Sequence, residues 1–214
     1  MTTVREAIAA SLAQHVPARA IQSIVATLPV EATREVGQLD LVSSRELLMR
    51  IEAGARLFGA KDPAGVLKDT QSAINGGRPP AISIENVHVR SDGDVITVQR
   101  QCQRMLKNFF GGTDCIRLTT AASELARNIY MYAREGDIRL SLGEEEGQVV
   151  FRIVASDKGP GIRNLPTVLS GGYTSKTGLG KGLMGVHTLL EDVTVETAEG
   201  KGTTVRAMKR VRRR

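Results

Sequence analysis

The spacing of apolar residues separates the first third of the chain from the rest. Over residues 3–75, apolar side chains recur every three or four positions, the period of amphipathic helices. These stripes are Ile8, Leu12 and Val16; Ile21, Ile24, Val25 and Leu28; and Leu47, Leu48, Ile51 and Leu57. We predict several short helices here, with prolines between them.

Local signals mark two helix starts and one linker in this part. Ser43 and Ser44 precede Glu46, a pattern typical of a capped helix start. Asp62 precedes Pro63, and proline suits the first helical position. The breaker-rich segment NGGRPP at 75–80 predicts a linker. We therefore expect a helical domain over 1–77, with a regulatory or dimerising role, and a second domain over 78–214.

The second part mixes helices with runs of β-branched residues. Predicted helices cover 94–110, ended by Gly111 and Gly112; a stretch capped by Thr113 or Asp114 and reaching about 133; and about 181–190, with a loop or short helix over 162–172. Predicted strands cover about 82–89, 137–142, 148–155, 193–197 and 203–209, with the acidic turn GEEEG after the second. Because consecutive strands pair, this order predicts an α+β fold and not an alternating parallel sheet.

Composition narrows the function classes. The chain has 214 residues and a net charge of +6, but aromatic residues make up only 3% and tryptophan is absent, which argues against nucleic-acid binding. We expect a solvated basic tail formed by Arg206, Lys209, Arg210, Arg212, Arg213 and Arg214. No apolar run reaches the roughly 18 residues of a membrane span, so we expect a cytoplasmic protein with no membrane partner. Cys102 and Cys115 have no ligand spacing and are expected to be reduced, partly buried thiols.

The motif SELARN at 123–128 places two candidate groups on one helix face. Glu124 and Asn128 are four residues apart and so project from the same side. A carboxylate there can accept a proton from an attacking hydroxyl, and an amide oxygen can ligate magnesium. A solvated helix face is the alternative interpretation.

The motif DKGPGI at 157–162 follows the apolar strand FRIVAS. Asp157 would lie at the strand end, where its carboxylate can accept the exocyclic amine of adenine. Gly159 and Gly161 allow a close turn, and Pro160 stiffens it. An ordinary β-turn is the alternative interpretation.

The motif GLGKGLMG at 178–185 leads into a predicted helix. Glycines let backbone amides approach phosphates, and a helix N-terminus favours anions. Gly180, Gly182 and Gly185 also satisfy the dinucleotide pattern GxGxxG, but they follow a polar loop and too little chain remains for a Rossmann sheet. The preceding segment GGYTSKT suits a lid over a nucleotide.

Taken in order, SELARN, DKGPGI, GLGKGLMG and GKGTTV resemble the N, G1, G2 and G3 boxes of the GHKL ATPase superfamily. The chain looks most like the RsbT-like serine/threonine kinases, over about residues 82–210. The resemblance implies a Bergerat fold, a two-layer α/β sandwich with a mixed, mostly antiparallel sheet. It also implies ATP and Mg²⁺ as cofactors.

The resemblance also assigns site residues. Glu124 matches the catalytic base, Asn128 the magnesium ligand, and Thr203 the threonine that supports the adenine contact of Asp157. The remaining nucleotide contacts implied are Gly159, Gly161, Ile162, Thr174, Ser175, Lys176, Gly178, Leu179, Gly180, Lys181, Gly182 and Leu183.

Two positions depart from the superfamily pattern. Lys158 stands where relatives have Asn or Gln, and Met131 stands where histidine kinases often place a basic phosphate contact. Arg127, Lys176 or Lys181 are candidates to supply that charge instead.

By resemblance, the substrate is a serine or threonine on a STAS-domain antagonist, with a PP2C-type phosphatase or a sigma factor as further partners. A histidine autokinase is a rival, but neither His15 nor His88 lies in a phosphoacceptor motif. A nucleotide-gated module that binds a sigma factor or a phosphatase, with little catalysis, is the rival from another class. The apolar stripes of the first domain also allow a homodimer.

Overall fold

The structure is a computed structural model that describes residues 2–77, 81–169 and 182–212. The chain divides into two compact units, Met1–Ser83 and Ile84–Arg214. Within the described residues, no helix is both long and apolar enough to cross a bilayer.

The first unit is helical, as the apolar periodicity predicts. Its helices are α1 Val4–Leu12, α2 Ala18–Ala26, α3 Leu41–Leu57 and α4 Pro63–Asn75, with a 3₁₀ turn at Val30–Thr33. Their inner faces share one core, formed by the apolar side chains of Ile8, Leu12, Ile24, Leu47, Leu48, Ile51, Val66 and Ile74 among others. Apart from Leu57, which is 80% exposed, the stripes are therefore explained by packing within this unit.

The start of α3 differs from the prediction at Ser43 and Ser44. Asp40 is the N-cap, and its Oδ1 accepts hydrogen bonds from the Ser43 N–H at 2.9 Å and the Ser83 hydroxyl at 2.7 Å. Burial opposes ionisation of Asp40, but these hydrogen bonds outweigh it, and its pKa is lowered. A carboxylate competes successfully with nearby hydroxyls for the free amides of the first turn.

The start of α4 is as predicted. Asp62 caps the helix by accepting from the Gly65 N–H at 3.0 Å, and Pro63 is the first helical residue. The helix ends at Gly76, whose φ of 58° lies in the left-handed region, at the beginning of the breaker segment.

The second unit contains a sheet with helices packed against it. Its helices are α5 Asp92–Leu106, α6 Gly112–Asn128, α7 Leu165–Leu169 and α8 Gly182–Leu189, and a π-helical turn at Ile129–Ala133 continues α6. Its strands are β1 Ser83–Val89, whose first residue still belongs to the first unit, β2 Gly136–Glu145, β3 Gln148–Asp157, β4 Glu191–Ala198 and β5 Gly202–Arg212. The sheet order is β1-β2-β3-β5-β4, and β2–β3, β3–β5 and β4–β5 pair antiparallel.

Helices α5 and α6 pack on each other and on β2, and α6 also contacts β3 and α8. Buried side chains between the layers include Val98, Leu118, Leu125, Leu140, Phe151 and Ile153. This arrangement confirms the predicted α+β class and the two-layer sandwich.

Three predicted helix boundaries in this unit were wrong. Helix α5 ends at Leu106 and does not reach residue 110. Helix α5 begins earlier than residue 94 because Ser91 is its N-cap and accepts from the Asp94 N–H. Helix α6 begins at Gly112 with Gly111 as its N-cap, and no side chain caps it, so neither Thr113 nor Asp114 has that role.

The C-terminal basic residues do not form the expected solvated tail. Strand β5 pairs with β3 as far as Arg212, and Arg213 and Arg214 lie outside the described residues. Basic residues of β5 form ion pairs with acidic residues of β4: Arg206–Glu196 at 2.7 Å, Lys209–Glu191 at 2.5 Å and Arg210–Asp192 at 3.0 Å. These three basic side chains are thus paired with carboxylates on the surface of the sheet.

Both thiols are free, as expected. Cys102 is fully buried on α5, and this burial raises its pKa to about 12. Cys115 on α6 is half-buried. Cys102 therefore stays protonated and unreactive at neutral pH.

Candidate active site

Asp157 is the last residue of β3, the central strand, and so lies at one end of the sheet. Its Cα pairs with Gly136 on β2 and with Thr203 on β5. Its Oδ1 accepts hydrogen bonds from the Gly159 N–H at 2.8 Å and the Thr203 N–H at 3.3 Å. Neither bond uses Oδ2, so the carboxylate is oriented by one oxygen and can accept an amine proton with the other.

The turn after Asp157 lies directly against the turn between β4 and β5. At Gly161, with φ 72°, an added Cβ would lie 2.1 Å from the Ala198 carbonyl oxygen. At Gly202, with φ 85°, it would lie 2.0 Å from the Asp157 carbonyl oxygen. Both positions require glycine because of backbone angle and space together. The predicted close turn is present, and its partner is another backbone turn.

Hydrogen bonds join the same two turns. The Gly200 N–H donates to the Pro160 carbonyl at 2.8 Å. The Ile162 N–H donates to the Thr197 hydroxyl at 2.9 Å, and the Thr197 and Thr203 hydroxyls lie 3.0 Å apart. Ile162 and Thr203 thus belong to the network around Asp157, together with Thr197, a residue outside the predicted set.

Glu124 and Asn128 lie in the last turn of α6, and both side chains are half-buried. Glu124 lines a groove of about 340 Å³ between α5 and α6. The groove is also lined by Asp92, Val95, Ile96, Gln99, Thr120, Ser123 and Arg127. A carboxylate in this position is accessible to a hydroxyl group brought in from outside.

The π-helical turn connects this helix to the turn of Asp157. It follows Asn128 and ends at Ala133, and a Cβ added to Gly159 would lie 2.6 Å from the Ala133 Cβ. Ala133, the last residue of the π-helical turn, is therefore in contact with the turn at 157–161, and that π-helical turn continues directly from the end of α6. This contact places the two predicted clusters at one end of the sheet.

A family model for the histidine kinase-like ATPase domain matches residues 90–209. The chain belongs to the histidine kinase-like ATPase family. The serine/threonine-protein kinase RsbT of Bacillus subtilis (strain 168) is 36% identical over 127 residues, which cover 59% of this chain and 96% of RsbT. The anti-sigma F factors of two Clostridium botulinum strains, Eklund 17B / Type B and Alaska E43 / Type E3, are each 33% identical over 98 residues, covering 42% of this chain and 67% of their own length.

These matches confirm the resemblance to RsbT-like serine/threonine kinases and, with it, the use of ATP. The matched segment of this histidine kinase-like ATPase begins at residue 90 and so does not include the helices of the first unit.

Part of the predicted phosphate loop of this RsbT-like chain lies outside the described residues. This applies to Thr174, Ser175, Lys176, Gly178, Leu179, Gly180 and Lys181. Gly182 is the first residue of α8, and Leu183 is only 6% exposed. Any nucleotide contact of Leu183 would therefore come from its main chain. Helix α8, which begins at Gly182, packs on α6, the helix of Glu124 and Asn128.

The departures from the superfamily pattern lie on the surface of this kinase. Lys158 and Met131 are both exposed. Arg127 is exposed and lines the groove next to Glu124, while Lys176 and Lys181 lie outside the described residues. Of the three candidates for the missing positive charge, Arg127 is the one that the structure describes, and it lies beside Glu124, the predicted general base.

Proposed function

We propose that this kinase transfers the γ-phosphoryl group of ATP to a serine or threonine hydroxyl of a STAS-domain antagonist in a partner-switching module. The proposal is supported by two contacts: α6, which bears Glu124 and Asn128, packs on β3, and the π-helical turn that follows α6 touches the turn that orients Asp157. These contacts support the proposal that Glu124, Asn128 and Asp157 act on one bound nucleotide.

Asp157 is proposed to recognise adenine. Its Oδ1 is held by two backbone N–H groups, and its Oδ2 accepts a proton of the exocyclic amine. Guanine presents a carbonyl oxygen at that position, which a carboxylate cannot donate to. The fixed acceptor therefore favours ATP over GTP.

Asn128 is proposed to hold Mg²⁺ through its amide oxygen, a hard ligand of the kind magnesium prefers. The described residues contain no group of three or more His, Cys, Asp or Glu side chains suited to a metal. A single protein oxygen fits an ion that takes its other ligands from phosphates and water. When bound, Mg²⁺ would neutralise charge on the transferring phosphoryl group.

The phosphates are proposed to lie at the N-terminus of α8. Backbone N–H groups at the start of a helix bind anions, and the glycine-rich segment 178–182 leads directly into it. Lys176 and Lys181 are proposed to add positive charge, with Arg127 on the acceptor side.

Glu124 is proposed to act as the general base. The acceptor oxygen attacks the γ-phosphorus, the bond from that phosphorus to the bridging oxygen breaks, and ADP leaves. The hydroxyl proton passes to the Glu124 carboxylate. Positioning and charge neutralisation supply most of the acceleration in such transfers.

The first prediction concerns Glu124→Gln, which keeps the side-chain shape and removes the base. We expect transfer of labelled phosphate to a purified STAS-domain protein to fall by at least about 100-fold, because general base catalysis contributes that much. ATP affinity should stay within about twofold. Glu135→Gln, at an exposed carboxylate beyond the π-helical turn, is the control and should retain activity. Undiminished transfer by Glu124→Gln would remove this residue from the mechanism.

The similarity to anti-sigma F factors favours a second candidate function. A nucleotide-gated module would bind a sigma factor or a PP2C-type phosphatase and transfer little phosphate. Pull-downs with those two purified partners in ATP and in ADP, with a parallel phosphate-transfer assay, separate the candidates. Nucleotide-dependent binding without label in any partner would favour the module.

A further inference from the structure

Thr197 occupies a row of paired residues that crosses the sheet at Asp157. It is the Cα partner of Thr203, which is the partner of Asp157, which in turn pairs with Gly136. Directly paired residues project to the same face of a sheet. The Thr197 side chain is therefore on the same face as the Asp157 carboxylate, and it is half-buried.

The Thr197 hydroxyl contacts groups from three places in the chain. It accepts from the Ile162 N–H at 2.9 Å, donates to the Gly202 carbonyl at 3.1 Å and lies 3.0 Å from the Thr203 hydroxyl. A hydroxyl has one donor and two acceptor positions. If the Thr203 hydroxyl donates to it, all three positions of Thr197 are used within this network.

These contacts connect the two sides that orient Asp157. Ile162 ends the turn that begins at Asp157 and carries Gly159, whose N–H bonds Oδ1. Gly202 and Thr203 start β5, and the Thr203 N–H bonds the same oxygen. The Thr197 side chain thus links the two segments whose N–H groups, those of Gly159 and Thr203, donate to the Asp157 carboxylate.

An ion pair also spans the two turns, but it is much weaker. Arg163 and Glu199 lie 2.8 Å apart, with side chains 82% and 64% exposed. Exposed ion pairs contribute little because water and salt screen them. The half-buried hydroxyl network is the stronger side-chain connection between the turns.

We propose that Thr197 is a positioning residue for base recognition: its hydroxyl holds the 157–162 turn against the β4–β5 turn and so fixes the direction of the Asp157 carboxylate. The inference rests on the proposed adenine contact of Asp157. Without the hydroxyl, Asp157 samples more orientations, so ATP binding weakens and discrimination against GTP falls, while the transfer step at saturating ATP is preserved.

The test compares Thr197→Val, which keeps the shape, with Thr197→Ser, which keeps the hydroxyl. For Thr197→Val we expect about tenfold weaker ATP binding by titration, the scale of a lost hydrogen-bonding group. Its KM for ATP should rise by a similar factor, with kcat within about twofold, and its preference for ATP over GTP should fall. Thr197→Ser should match the wild-type chain. Thr194→Val, at an exposed threonine of the same strand, is the control and should also match.

Two outcomes would overturn the inference. One is wild-type ATP affinity in Thr197→Val; the other is equal loss in Thr197→Val and Thr197→Ser, which would assign the effect to packing. If Thr197→Val does not fold, Thr197→Ala is compared with Thr197→Ser in its place. Asp157→Ala separates this result from the proposed function, because unchanged ATP affinity in that variant would refute the adenine site itself. A large loss in Asp157→Ala with none in Thr197→Val would refute only the positioning role.

Discussion

The two sides of the candidate site are built in different ways. One side, called the base side because its Asp157 is the proposed contact of the adenine base, consists of backbone hydrogen bonds and glycine contacts that leave no space for an added Cβ. On the helix side, Glu124 and Asn128 are half-buried side chains of α6, and Glu124 lines an open groove. Backbone geometry defines the first side, and side-chain chemistry defines the second.

This difference suggests a division of labour. Base recognition needs an acceptor with a fixed direction, and main-chain bonds provide it at little conformational cost when the nucleotide binds. Proton transfer and metal binding need groups that the acceptor substrate and the phosphates can reach. Substitutions on the base side should therefore change nucleotide affinity and stability, whereas those on the helix side should change chemistry and metal dependence.

The largest effect is expected for Gly202→Ala, which breaks the base side. The new Cβ would lie 2.0 Å from the Asp157 carbonyl oxygen in a residue with φ 85°. Left-handed strain and overpacking together should lower the free energy of unfolding by roughly 2–5 kcal/mol. Urea unfolding followed by circular dichroism measures this loss, and ATP titration should show weaker binding.

Gly200→Ala is the matched control for that experiment. Gly200 has φ 72° in the same turn, but no atom lies within 4 Å of an added Cβ. In this variant the free energy of unfolding should fall only by the cost of a left-handed backbone at a residue with a Cβ, roughly 1–2 kcal/mol. Equal destabilisation of the two variants would contradict the close approach of Gly202 to Asp157.

A smaller effect is expected for Asn128→Ala, which tests the helix side. Removal of the amide oxygen should weaken ATP binding in Mg²⁺ by about tenfold, or about 1.4 kcal/mol. Binding in EDTA should not change, because only the metal-dependent part is lost. Asn128→Asp, which keeps an oxygen ligand, should retain the magnesium dependence. A wild-type chain that binds ATP equally with and without Mg²⁺ would exclude the proposed metal role.

The smallest effect is expected for Glu199→Gln, which tests whether an exposed ion pair helps to align the two turns of the base side. The ion pair of Glu199 with Arg163 spans the same turns as Thr197 but is largely exposed. ATP affinity should stay within about twofold because surface pairs contribute little. A loss comparable to that of Thr197→Val would mean that the ion pair, and not the hydroxyl network, aligns the turns.

Sequence periodicity predicted the elements of the fold well, but their ends less well. Ser91 and Asp40 cap their helices in place of other polar residues nearby, because capping depends on which side chain reaches the free amides. The acidic run GEEEG was predicted as a turn, yet β2 continues to Glu145 and only Glu146 and Gly147, with φ 51° and 73°, form the turn. Cross-strand pairing decides where a strand ends, and that information is not local.

Some residues of the candidate site were predicted from the sequence and others were not, again because some of the information is not local. Asp157 lies at the strand end and Glu124 on a helix face, as the motifs predicted, because each motif is read within a short window. Thr197 has no motif of its own. Its partners Ile162 and Gly202 meet it only because β4, β5 and the turn after β3 come together in the sheet. The one local signal was a hydroxyl residue at the end of a predicted strand.

The π-helical turn after Asn128 spaces the two parts of the candidate site along the chain. A π turn takes more residues than an α turn, and this one ends where Ala133 touches Gly159. The 5 residues Ile129–Ala133 thus lead from Asn128 to the contact with the turn of Asp157. If both residues bind one nucleotide as proposed, a purine ligand that is too short or too long would contact Asp157 or Asn128 but not both.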